Sequence, residues 1–232
     1  MRKISLFNLN GDFINNQNIS QSGLVIFKFD KFDKPIGIRM IFDDENSRND
    51  LGKFSSEFMN DFSFYSLPIS KKTMSKPRLF PSTISWDIVC GEHVVCSDPL
   101  EGYKLNVFDL NGKKIKIIQN EYDPIKVTEK DIDFELERRH LKSKEGILIP
   151  DFLPVFRWIY SDDQGNIFVQ TWELGPDNHC YYYDVFDPEG RFTIHIPIKG
   201  KWLFFKKDKL YSIQHDDNGF AFIKRYKLTW KI

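Results

Sequence analysis

The sequence predicts an all-β fold, a β-propeller of four-stranded antiparallel blades with about four blades visible and one inserted helix near residues 129–144. Three observations predict it. The first is a repeated phrase: "LFNLNGDFI" at 6–14, "VFDLNGKKI" at 107–115 and "VFDPEGRFT" at 185–193 each set an aromatic residue before Asn or Asp, two further residues and Gly. A short acidic turn between apolar runs makes a β-hairpin, because Asp or Asn accepts bonds from nearby backbone N–H groups and Gly takes positive φ without strain. The second is alternation. In 191–198, Phe192, Ile194, Ile196 and Ile198 share one strand face and Arg191, Thr193, His195 and Pro197 the other, which puts one face in a core and one in solvent. The third is spacing: sets of short strands begin at 155 and 201, 46 residues apart, a length that suits one propeller blade.

In chain order, "RKISLFNL" at 2–9 reads as a strand. It is placed either to complete the last blade and join the chain ends, or to form the outer strand of a blade whose beginning is missing. "GLVIFKFDKFDKPIGIRMIF" at 23–42 reads as a strand pair around Asp33, Lys34 and Pro35, and "FSFYSLPIS" at 62–70 as a further strand, so 23–70 is expected to be a blade. The polar stretches 43–60 and 70–82 are expected to be loops. Strands at 84–90, 93–98, 103–109 and 113–118 make the next blade, and strands at 155–161, 166–172, 180–187 and 190–196 make another. A last, partial set lies at 201–206, 209–215 and 219–228. A second hairpin phrase, "YSDDQGNIFVQT" at 160–171 and "YSIQHDDNGFAFI" at 211–223, recurs in the same units. The whole of 1–232 is expected to be a single propeller domain.

One segment departs from this pattern. "TEKDIDFELERRHLKSKEG" at 128–146 opens on Thr128, gathers acidic residues early and basic residues late, and reaches Gly146. That order complements a helix macrodipole and predicts a helix with Thr128 as N-cap. Ile132 and Leu136 give it only a thin apolar stripe, so it is expected to lie across the surface.

Composition excludes several classes. Lys+Arg and Asp+Glu both number 33, so no overall charge draws nucleic acid or an acidic membrane surface. No stretch approaches the roughly 20 apolar residues of a membrane-spanning helix, and the N-terminus lacks the apolar run of a signal peptide. The three cysteines, Cys90, Cys96 and Cys180, are too few for a disulfide scaffold and are read as buried thiols. A two-residue loop at Gly91 and Glu92 would set Cys90 opposite His93, and Asp87 opposite Cys96.

"YKLNVFDLNGKKIKIIQNEYDPIKVTEKDIDFELE", "PVFRWIYSDDQGNIFVQTWE", "YYYDVFDPEGRF" and "KLYSIQHDDNGFAFIKRYKL" resemble the C-terminal blades of bacterial six-bladed, NHL-like β-propeller proteins, over about 84–232. The resemblance implies blades and carries no catalytic signature. It also implies a longer N-terminal part and a periplasmic or extracellular location, from which this sequence departs in showing about four blades and no export signal. Either Met1 lies inside a larger reading frame or the propeller is a shortened one. A partial ring leaves blade flanks open, which favours self-association.

Chemical motifs are sparse. No phosphate-binding Gly loop, HExxH, paired CxxC or GxSxG occurs, and the histidines at 93, 140, 179, 195 and 215 form no spacing set. His195 reads as a solvent-face strand residue. Asp162, Asp163, Asp216 and Asp217 offer oxygen ligands of the kind calcium prefers, but Asp makes hairpin turns without an ion, so no cofactor and no metal is expected. Arg157, Trp172 and His179 are the candidate binding residues, because Arg and large aromatics near strand ends anchor recognition sites. Trp158, Tyr181 and Tyr183 are expected to pack between blades. The function expected is non-catalytic recognition of a protein, peptide or glycan; the alternative is a metal-assisted hydrolase or lactonase at the propeller's central opening, for which no catalytic residue can be assigned.

Overall fold

A computed structural model describes residues 3–7, 12–18, 24–43, 46–69, 76–176, 180–216 and 218–229. The fold is all-β, built of antiparallel blades, with one short α-helix among the described residues. Contacts divide the chain into two compact units, Met1–Ser75 with Asn111–Lys113, and Lys76–Leu110 with Lys114–Ile232.

In the first unit, β1 (Lys3–Phe7) and β2 (Phe13–Asn18) form a hairpin. A four-stranded meander follows: β3 (Leu24–Phe29), β4 (Pro35–Ile41), β5 (Arg48–Phe54) and β6 (Asn60–Pro68). Leu24, Phe54 and Phe58 form its buried centre. One expectation fails here. Segment 43–60 is not all loop, since β5 occupies part of it. Its polar side chains disguised a strand: Asp50 is buried and paired with Arg39 (3.2 Å) and Arg48 (3.1 Å), so charges that read as solvated stabilise the sheet instead. The N-terminal strand β1 is paired with β2 in a sheet of two described strands.

The second unit holds three consecutive meanders. The first is β7 (Trp86–Val89), β8 (His93–Ser97), β9 (Lys104–Asp109) and β10 (Lys114–Gln119). The second is β11 (Trp158–Ser161), β12 (Ile167–Leu174), β13 (Cys180–Phe186) and β14 (Phe192–Lys199), and the third is β15 (Lys201–Lys206), β16 (Lys209–His215) and β17 (Ala221–Lys227). The first strand of each meander stands beside the first strand of the next, β11 lying between β7 and β15. Hydrogen bonds stitch β11 to the first blade: the Ser161 N–H and hydroxyl donate to Asp87 Oδ2 (2.7 and 3.1 Å), and the Ser85 hydroxyl donates to the Arg157 carbonyl (2.9 Å).

Because strand side chains alternate, the middle blade must be apolar on both faces. Ile159, Ile167, Val169 and Phe186 face Val95, Leu105 and Val107 of the first blade. Phe168, Tyr183 and Val185 face Leu203, Phe205 and Leu210 of the third. Its outermost strand is the exception, since β14 has a neighbour on one side only: Phe192 and Ile194 are about half exposed, where alternation alone placed them in a core.

The repeated phrase is one turn used several times. The Asp162 carboxylate accepts from the N–H groups of Gln164 and Asn166, and Asp216 likewise from Asn218 and Phe220. The third residue on, Gly165 or Gly219, is left-handed at φ 88° or 82°, which glycine adopts at little cost. Asp30 repeats the pattern toward Phe32 and Lys34, with Asp33 in the left-handed position.

The helix α1 (Glu129–Arg138) begins as expected at Thr128. The Thr128 hydroxyl accepts from the Asp131 N–H, and Asp131 accepts from the Thr128 N–H, a reciprocal cap. It ends earlier than the sequence predicts. His140 is left-handed at φ 55°, its N–H bonds the Glu137 carbonyl, and the Leu141 N–H bonds Leu136 (2.9 Å), a Schellman closure that stops the helix well before residue 144. Nor is 70–82 wholly a polar loop: Leu79 and Phe80 are buried with Ile132, Leu153 and Trp172 under the helix.

Cys96 and Cys180 are buried free thiols, while Cys90 is exposed. The hairpin register also differs from expectation by one residue. Cys90 and Gly91 both take positive φ, so Val89 pairs with His93 and Trp86 with Cys96.

Phe168 is wholly buried, so Phe168→Ala is expected to lower unfolding free energy by about 3–5 kcal/mol in denaturant titration. Ile117→Ala, on a half-exposed side chain, is expected to stay within about 0.5 kcal/mol.

Candidate functional site

Trp158 opens β11 directly opposite Gln170 of β12, which is itself opposite Tyr183 of β13. The three therefore form a row across one face of the middle blade, and with strands about 4.8 Å apart the row runs roughly 10 Å. Farther along, the same face is covered by the third blade. At this row the cover ends on Tyr183, which still packs against the third blade, and toward Trp158 a cavity of about 880 Å³ opens between the row, α1, the β14–β15 turn at Lys199 and Gly200, and the end of β16 at Ile213–His215. Gly200 is required in that turn: it sits at φ 110°, and a Cβ there would lie 2.8 Å from the Ser212 hydroxyl oxygen.

Behind the cavity lies a buried carboxylate. Glu135 points inward from α1 and accepts two bonds from the Arg138 guanidinium, from Nε at 2.8 Å and Nη2 at 2.6 Å. Arg139 Nε adds a third at 3.2 Å and the Tyr181 hydroxyl a fourth at 2.7 Å. Arg157 Nη1 stands 3.6 Å away, close enough for an ion pair and too long for a hydrogen bond. Burial by itself raises the Glu135 carboxyl, but the Arg138 hydrogen bonds, the Arg157 charge and the Tyr181 hydroxyl outweigh it, so its pKa lies below the usual 4.5. The Tyr181 phenol is pushed up, first by burial.

Arg157 is the pivot. Its guanidinium lies 3.8 Å from the Tyr181 ring centre and 4.7 Å from that of Trp172, a double cation–π contact. Its side chain is only 9% exposed, yet Nη1 has no hydrogen-bond partner. Two other buried residues bring polar groups to the cavity wall. Gln170 is 5% exposed and Tyr183 1%, and neither the Gln170 amide nor the Tyr183 hydroxyl makes a hydrogen bond among the described residues. Buried polar groups are normally satisfied, so a row left open toward a cavity is suited to meet a ligand. Burial raises the Tyr183 phenol well above 10 and the Tyr160 phenol to about 12, so both remain neutral donors.

Of the residues singled out from sequence, Arg157 and Trp172 come together, but differently placed. Arg157 lines the cavity; Trp172 is buried, donates from its indole N–H to the Phe156 carbonyl (3.0 Å), and supports Arg157 from behind. His179 lies outside the described residues. Trp158 does not pack between blades as expected: it is 40% exposed and lines the cavity. Tyr181 and Tyr183 are buried, as expected, while also forming cavity wall. Glu135, Arg138 and Gln170 were not legible in advance. A pair of arginines directly after a Glu three and four residues back was the available signal for Glu135.

The described acidic turn residues are engaged by backbone groups of their own or a neighbouring turn. Asp162 is engaged as described, Asp163 Oδ2 accepts from the Lys207 N–H (2.7 Å), and Asp217 lies outside the described residues. His195 sits at a second, smaller cavity of about 340 Å³. Its Nδ1 is 2.6 Å from Asp184 Oδ1, its ring stacks on Tyr182 at 4.3 Å, and the Tyr103 hydroxyl donates to Asp184 Oδ2 (2.7 Å). It is the exposed strand residue the sequence predicts, and it is tethered as well.

No protein-family model matches the chain, and no curated protein matches it. Among solved structures, a DUF4221-family member from Bacteroides vulgatus is similar at 13% identity, with 97% of this chain and 73% of that one covered and a TM-score of 0.39. A eukaryotic initiation factor is similar at 9% identity, with 99% and 62% covered and a TM-score of 0.33.

Glu135→Gln is expected to destabilise the fold by about 3 kcal/mol near neutral pH, since three guanidinium groups lose their counter-charge. A carboxyl with a depressed folded pKa contributes stability that is fully present above its unfolded value and lost as pH falls through the folded one. The gap between wild type and variant should therefore be constant above about pH 5 and shrink below about pH 4.5, as read by denaturant titration across pH.

Proposed function

We propose that the protein is a non-catalytic propeller module that binds a segment of glycan or peptide in the cavity between α1 and the second and third blades of its second unit. The observation that carries this is the row Trp158, Gln170 and Tyr183 beside Arg157: an exposed indole, an amide, a phenol and a guanidinium face one opening, and the last three bring groups unpaired within the protein. Ligand sites are commonly cavities of about 300–1,000 Å³ with a few convergent polar groups, and this cavity falls in that range. Trp, Tyr and Arg are also the side chains that dominate recognition energetics.

The acid at this site is poorly suited to catalysis. Glu135 is held ionised and its oxygens are bonded by Arg138, Arg139 and Tyr181, so it has neither a proton to give nor a free lone pair to accept one readily. The blades are read as those of a six-bladed NHL-like propeller, a likeness that rests on the sequence of residues 84–232.

The test is a binding screen of the full chain against arrayed glycans and a peptide library, followed by calorimetry on hits. Trp158→Ala and Gln170→Ala are expected to weaken hits by about tenfold each, near 1.4 kcal/mol, with circular dichroism and melting temperature unchanged. Hits indifferent to both substitutions, or no hits in either class, would contradict the proposal.

A further inference from the structure

Three features of the cavity, taken together, define the chemistry of what it holds. The first is charge. Arg138, Arg139 and Arg157 converge on the single carboxylate of Glu135, so the cluster retains two positive charges, with Arg157 and Glu135 buried and Arg138 and Arg139 about one-quarter exposed. Arg138 and Arg157 both line the cavity. The exposed lining residues carry charges of both signs, Lys130 and Lys199 against Asp133, Glu137 and Asp216. Charges in solvent are screened, whereas those in the low-dielectric floor are not, so the floor sets the preference. That preference is for an anion, and the planar guanidinium fork matches a carboxylate.

The second feature is the kind of hydrogen-bonding group on offer. The amide of Gln170 and the hydroxyl of Tyr183 each both donate and accept, as do the hydroxyl groups of a sugar. The third is shape. Trp158 offers a partly exposed flat ring at one end of the row, and among the lining residues only Leu174 and Ile213 are aliphatic. The rest of the apolar wall is aromatic, with Phe134 and Tyr160 beside Trp158, and an aromatic face suits the C–H face of a pyranose.

We infer that the cavity's ligand is an acidic glycan, a sugar carboxylate held by Arg157 and Arg138 with a neighbouring ring laid on Trp158 and its hydroxyls met by Gln170 and Tyr183. This rests on the binding function proposed above and narrows it to one class. It assigns Arg157 two bonds' worth of work: the Tyr181 and Trp172 rings hold its guanidinium in place, and the ligand supplies the acceptor that the protein does not.

The test is calorimetry of the full chain with oligosaccharides ending in galacturonate, glucuronate or sialate, each compared with its methyl ester. At least one acid is expected to bind about tenfold or more tightly than its ester, and to weaken when salt is raised. Arg157→Gln is expected to abolish the difference between acid and ester, and Arg138→Gln to reduce it. The ester comparison uses unaltered protein, so it stands even if an arginine variant misfolds. Equal binding of acids and esters, or binding of none of the acids, would overturn the inference. In that case neutral glycans or peptides that bind, and lose affinity in Trp158→Ala, would leave the broader proposal standing.

Discussion

The middle blade of the second unit is sandwiched, and most of what the molecule does follows from that constraint. A strand presents alternate side chains to opposite faces, so a sheet with a neighbour on each side needs apolar residues at nearly every position. β12 and β13 carry unbroken buried runs, Ile167 to Trp172 and Tyr183 to Phe186, in which Gln170, Thr171 and Asp184 are the polar members and Asp184 anchors Tyr103 and His195. Against such a background a polar row is conspicuous. The row runs from Tyr183, still packed against the third blade, through Gln170 to the exposed Trp158, and the cavity opens along it.

The helix turns that space into a site. Without α1 the opening would be a shallow edge between two blades; with it, the wall acquires Glu135 and its arginines. Burying an ionised carboxylate is costly, and the structure offsets the cost with four hydrogen bonds and a neighbouring guanidinium. The arrangement fixes Arg138 and Arg157 in place before any ligand arrives. Recognition groups held rigid lose little entropy on binding, which is how a modest number of contacts gains affinity.

Much of this architecture was legible in the residues. The Asp-x-x-Gly phrase marked the hairpins because a carboxylate that caps its own turn and a left-handed glycine three residues on are local devices, independent of tertiary contacts. Residues 48–54 stayed hidden for the opposite reason: Asp50 and its two arginines look solvated until a partner strand brings Arg39 across. The end of α1 was misjudged because His140, not glycine, takes the left-handed position. At the site, Arg157 and Trp172 stood out by residue type, but which of them faces the cavity depends on strand register. Glu135 could not be ranked above its acidic neighbours without knowing which face of the helix is buried. Gln170 reads as an ordinary polar residue until the row it belongs to is seen.

The sandwich is most directly tested by a double-mutant cycle between Phe168 of the second blade and Phe205 of the third, whose rings stack at 4.2 Å. Stability is measured for Phe168→Leu, Phe205→Leu and the pair. If the blades pack face to face as described, the two losses are coupled by at least about 0.5 kcal/mol, as for aromatic rings in contact. Strict additivity would mean that the rings do not touch, and that the cavity above them is not walled as described.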